Sequence, residues 1–154
     1  MYKKSNMNKI IQKMTDKNNK AAYSYCKKIV AESKKSDKYL KMIPTFASML
    51  QDDNSYVRTR FFILICCQSR WATKNQIKKV FSQMEPLLND PKPTVVRQCL
   101  KALKEVILYR PEMCIIIKNA ISKVDMNIYK GSMSTLIKKD IDELLLLIKK
   151  KEED

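Results

Sequence analysis

The sequence predicts an all-α fold, a solenoid of about seven to eight helices stacked as three to four pairs, and three observations carry that prediction. First, Val96, Cys99, Leu100, Leu103, Val106 and Ile107 recur at i, i+3, i+4, i+7, i+10 and i+11, which is one apolar face of an α-helix. Second, the pattern repeats. Val57-Arg58 stand 39 positions before Val96-Arg97, with Phe61, Leu64 and Cys67 matching Leu100, Leu103 and Val106. Ile137-Lys138 take the same place about one repeat later, followed by Ile141, Leu144, Leu147 and Ile148. Third, 154 residues contain one Gly and five Pro against 45% apolar residues, which leaves little material for β-turns and ample material for a core.

In chain order, Met7, Ile10, Ile11 and Met14 form a narrow apolar stripe, expected as a short fraying helix or cap. Thr15-Asp16 open a helix from about 18 to 33 that buries Ala22, Tyr25, Cys26, Ile29 and Val30. Residues 37–51 follow, with Pro44 in the interior predicting a kink or split. The helix at 54–69 contains FFILICC, apolar on every side, and is expected at the centre of the fold. Thr73 caps the helix at 74–89, and Asp90 with Pro91 and Pro93 starts the one at 92–108. Pro111 begins 111–124, and Gly131 breaks the chain before 132–150. Three pairs result, 37–51 with 54–69, 74–89 with 92–108 and 111–124 with 132–150. Residues 1–36 form an irregular N-terminal cap, all within one domain over 1–154. Disorder is expected only at residues 1–4 and in the KKKEED tail.

The chain carries 31 Lys and Arg against 16 Asp and Glu, a formal charge of +15, suited to an acidic protein, nucleic acid or an anionic surface. Only five of these cations are Arg, the side chain that grips phosphates bidentately, and the Lys are dispersed as on an ordinary solvated surface. Cys26, Cys66, Cys67, Cys99 and Cys114 are odd in number, lack CxxC spacing and fall mostly on apolar faces. They read as buried free thiols in a reducing compartment. The start lacks a secretory apolar core and the longest apolar run, 61–67, is too short for a bilayer, so a cytoplasmic, non-membrane protein is expected.

The D-x-x-x-x-V-R pattern at Asp52, Val57 and Arg58, repeated with one extra residue at Asp90, Val96 and Arg97, resembles the start of the second helix of HEAT repeats. The resemblance covers about residues 37–150. The runs SYVRTR…RW, KPTVVRQCLKAL and YKGSMSTLIKKDI also resemble a group of small bacterial HEAT-like proteins, some bearing a label from iron–sulfur cluster assembly that their helices do not support. The HEAT resemblance implies a right-handed α-α superhelix whose second helices line a concave surface, and it implies no chemistry.

Catalysis lacks its parts. His is absent, which removes the commonest general base and zinc ligand, and a single Gly rules out a P-loop or dinucleotide fingerprint. No cofactor or metal is expected. Asp52-Asp53 and Asp140, Asp142 and Glu143 are candidate paired carboxylates that serve more simply as caps and ion-pair partners. Arg58 and Arg97 are equivalent by register. They either line the inner surface or bond an Asp or carbonyl at the neighbouring turn and set the stacking distance. With Arg60, Lys101, Lys104 and Lys138, and with Lys92 and Lys139 nearby, they form a candidate concave binding surface.

The expected function is a non-enzymatic scaffold for a protein or peptide partner. The alternative is a nucleic-acid-binding basic groove. HEAT-like alkylpurine DNA glycosylases offer a distant third comparison, but the single Trp71 follows a helix end and reads as a packing plug beside Tyr56 and Phe62. Leu146, off the apolar stripe, allows self-association.

Overall fold

The computed structural model describes residues 4–154. Eight α-helices appear among the described residues: α1 (Lys4–Met14), α2 (Asn19–Ser33), α3 (Ile43–Ala47), α4 (Ser55–Cys67), α5 (Lys74–Met84), α6 (Pro93–Tyr109), α7 (Cys114–Ser122) and α8 (Ser132–Glu153). They form four successive pairs in two layers. The second helices α2, α4, α6 and α8 pack side by side in that order, and the first helices, among them α3 and α5, lie behind them. This is a HEAT-like α-α solenoid. Residues 1–3, within the stretch expected to be disordered, lie outside the described residues; Lys4 already begins α1.

One turn design starts the first three second helices. Asp16, Asp52 and Asp90 each accept the backbone N–H two residues on, at 2.8, 2.9 and 3.0 Å, to Asn18, Asn54 and Lys92. Those second residues are the N-caps, so the sequence reading placed the caps too early. Asn18 accepts from the Ala21 N–H and Asn54 from Tyr56 and Val57, while Pro93 fixes the first turn after Lys92. Asp at the head of each turn instead shapes the approach. Thr73 caps α5 in a full capping box with Gln76.

Pro44 splits its segment as expected, with a 3-10 turn at Leu40–Met42 leading into α3 and Pro44 in the first turn of α3. Gly131 sits at φ 61°, ψ −136°, a conformation open to glycine, immediately before α8. The KKKEED tail is helical to Glu153. Nothing in it breaks a helix, and Lys150 and Lys151 in the last turn oppose the C-terminal dipole.

The apolar stripes converge in one core. Helix α4 is buried nearly all round, with Phe61, Phe62, Leu64 and Ile65 fully enclosed between α2, α3 and α6. All five cysteines are free and buried. Tyr129, in the loop before α8, is also buried and donates its hydroxyl to the Asp90 carbonyl at 2.8 Å, a tie the sequence reading missed. No helix among the described residues is long and apolar enough to cross a membrane.

The repeats are joined by the polar groups that helix ends leave open. Trp71 donates its indole N–H to the Ser33 carbonyl at 2.7 Å, Arg70 donates to the Lys34 carbonyl at 3.3 Å, and Arg110 donates to the Ala72 carbonyl. The first two acceptors lie at the C-terminal end of α2 or just past it, where helix carbonyls lack backbone partners, and Ala72 lies in the turn before α5. Arg70 also lies over the Tyr109 ring, 4.5 Å from its centroid.

Candidate binding groove on the second-helix layer

A groove of about 570 Å³ crosses the N-terminal halves of α2, α4 and α6. Helix α2 contributes Lys20, Tyr23 and Cys26, α4 contributes Tyr56, Thr59, Arg60 and Ile63, and α6 contributes Val95 and Gln98, with Lys92 at its cap. Lys20, Tyr56 and Thr94 each stand two positions after the N-caps Asn18, Asn54 and Lys92, which brings equivalent positions of three repeats into one row. Ile63 and Val95 give the floor an apolar character. Tyr23 and Tyr56, 55% and 59% exposed, stand at the edge. No carboxylate is among the lining residues, so the groove carries the charge of Lys20, Lys92 and Arg60 uncompensated by an acid in its walls.

The six residues nominated from sequence do not form one surface. Arg58 reaches sideways rather than outward. Its Nε and Nη2 donate to the two Asp90 carboxylate oxygens at 3.0 and 3.1 Å, and Nη1 donates to the carbonyls of Asp52 and Asp53. Arg97 does the same one repeat on, donating to both oxygens of buried Asp140, and that carboxylate holds the guanidinium pKa above its usual value. Arg60, expected on or beside the polar face, is only 5% exposed. It turns back to donate to the Met14 carbonyl at 3.2 Å and to Asn19 Oδ1 at 3.1 Å. Met14 ends α1, so the cation sits at the negative end of that helix, and burial lowers its pKa.

With Arg70 and Arg110 tied to carbonyls, all five guanidiniums of the chain are engaged in bonds between repeats. The surface cations are therefore lysines. Lys101 is exposed on α6; Lys104 pairs with Glu143 at 3.3 Å and Lys138 with Asp142 at 3.2 Å. The candidate carboxylates of α8 are thus each matched to a cation, and no group of three or more His, Cys, Asp or Glu able to hold a metal occurs among the described residues. Leu146 is 57% exposed on α8.

Of the six nominees only Arg60 lines the groove. Lys92 and Tyr56, noted beside them, do line it, with Lys92 Nζ donating to Ser55 Oγ at 3.2 Å. Lys20 and Tyr23 were missed because the Val-Arg pair that marks the repeat is absent from α2. The Asp-x-Asn turn was the signal that would have placed them in register.

Fold and groove together define a helical-repeat protein whose second helices present an open surface. The family model described as non-SMC mitotic condensation complex subunit 1 matches residues 39–154. The chain belongs to that family, which is helical and HEAT-like. No curated protein and no solved structure matches it.

Proposed function

We propose that the protein is a non-enzymatic scaffold that binds a protein partner on its second-helix surface. The observation that carries this reading is the spending of every guanidinium on bonds between repeats. They hold α2, α4, α6 and α8 as a continuous wall and leave lysines, tyrosines and an open groove to meet a partner. The family supports it, since its description is of a subunit of a complex. In this reading Lys101, Lys104 and Lys138 are contact residues, while Arg58, Arg60 and Arg97 shape the surface they stand on.

The test is affinity capture from lysate with the wild type and with Lys101→Glu/Lys104→Glu. A protein captured by the first and lost from the second supports the scaffold reading, and identical captures count against Lys101 and Lys104 as its contacts. The formal charge of +15 favours a second reading, binding of a nucleic-acid backbone. Its lysines, however, lie on both layers, with Lys74, Lys78, Lys79, Lys118 and Lys123 on or beside the first helices α5 and α7. Backbone binding through several lysines weakens steeply between low and physiological salt, so duplex and single-stranded probes titrated at both decide between the two.

A further inference from the structure

We propose that the groove over α4 is the seat of a short acidic segment of a partner protein, one that inserts an apolar side chain between flanking carboxylates. This deepens the scaffold reading and rests on it. The charge of the groove is one-signed: Lys20, Lys92 and Arg60 line it and no Asp or Glu does. Lys20 has no ion-pair partner among the described residues, and Lys92 Nζ bonds only a hydroxyl, so both ammonium groups can receive a carboxylate without first giving one up. Arg60 is held by carbonyls beneath the surface and adds its field rather than a free donor.

The floor asks for something apolar. Ile63 and Val95 line it, and the rings of Tyr23 and Tyr56 flank it, each held by a cation, Lys27 at 5.5 Å and Arg60 at 5.8 Å from the ring centroid. Exposed tyrosines beside an apolar floor suit an inserted side chain whose neighbours are hydrogen-bonded at the rim.

Charge along the layer favours a short segment over a nucleic acid. Towards α8 two of the surface lysines already hold carboxylates, Lys104 with Glu143 and Lys138 with Asp142. A polyanionic backbone leaving the groove in that direction meets carboxylates, whereas a segment of a few residues ends before it reaches them. Helix α2, which forms one wall, lies outside the family match at 39–154, while α4 and α6 lie within it.

Fluorescence anisotropy on the full chain tests the assignment. The probes are labelled peptides in which one Leu, Phe or Trp is flanked on both sides by glutamates, the same peptides with glutamine, and labelled oligothymidine. At least one glutamate peptide is expected to bind the wild type and to bind Lys20→Glu/Lys92→Glu roughly tenfold more weakly. Its glutamine counterpart should be weak on both, and Lys78→Glu/Lys79→Glu, exposed on α5 in the other layer, should match the wild type. If loss of the Ser55 bond unfolds the Lys92 variant, Lys20→Glu/Tyr23→Ala carries the same comparison.

Equal binding by wild type and groove variant overturns the proposal, as does failure of every glutamate peptide. Oligothymidine binding that the groove variant loses, without peptide binding, reassigns the groove to single-stranded nucleic acid and overturns it equally. Lysate capture that survives Lys20→Glu/Lys92→Glu but not Lys101→Glu/Lys104→Glu removes the groove assignment alone. Capture unchanged by both removes the scaffold reading.

Discussion

Asp90 joins three repeats through one side chain and one carbonyl. Its carboxylate takes Arg58 of the preceding pair and the Lys92 N–H of its own, and its carbonyl takes Tyr129 from the next. The pair is largely enclosed, with side chains 16% and 6% exposed, so removing the acid strands a guanidinium that water reaches poorly. Asp90→Ala is expected to cost about 3 kcal/mol in urea unfolding. Asp142→Ala, which removes an exposed i,i+4 pair, should stay within about 0.5 kcal/mol of wild type.

Folding moves the thiol pKa values upward. Burial raises Cys67 to about 11 and Cys26 to about 12 from an ordinary 9.0, and raises Cys66 and Cys99 well above it. An unfolded chain therefore releases these protons first as pH climbs. Stability present below 9.0 is lost as pH rises from there through about 11, because the folded state binds more protons. Denaturant midpoints measured across that window should fall, and thiol reagents at neutral pH should react with Cys66 and Cys99 of the native protein only as fast as it opens.

Among the elements, α8 depends on how the chain enters it. Gly131 has no heavy atom within 4 Å of the place a Cβ would occupy, so a side chain there meets no clash and the cost of adding one is purely conformational. Gly131→Ala should lower stability by about 2 kcal/mol, read by thermal unfolding, without altering the packing of Ile137, Leu144 and Ile148. The Pro44 split shows the converse. An element can be read from its breaker even where its apolar pattern suggests a longer helix, because a missing N–H and a ring clash act locally.

For the whole molecule, stability is expected to be shared through neighbours, since each pair touches mainly the next. Helix α4 has neighbours on nearly every side and α8 ends the stack. Phe61→Ala, fully buried in α4, should cost roughly 3–5 kcal/mol and loosen the entire chain, while Ile148→Ala should loosen α7 and α8 first. Hydrogen exchange resolved by helix separates these outcomes: protection lost everywhere in the first variant, and lost only after about residue 111 in the second.

Helices and the centrality of α4 were legible in the sequence because apolar spacing, Pro and Gly act through short-range geometry that each segment carries within itself. The resemblance to small bacterial HEAT-like proteins drew on the same residues, which stacking itself demands. Such residues identify a helical-repeat class more readily than a branch of it. The direction of the arginines could not be read in that way. Arg58, Arg60 and Arg97 occupy similar polar-looking positions, yet each turns toward a partner that lies 32, 46 or 43 residues away. Only the stacked structure brings those carboxylates and unpaired carbonyls within reach, and a guanidinium that finds them no longer belongs to the open surface. The groove followed from the same cause: Lys20 and Tyr23 acquire a role only when α2 is laid against α4, because a concave site belongs to the spacing between helices and not to any one of them.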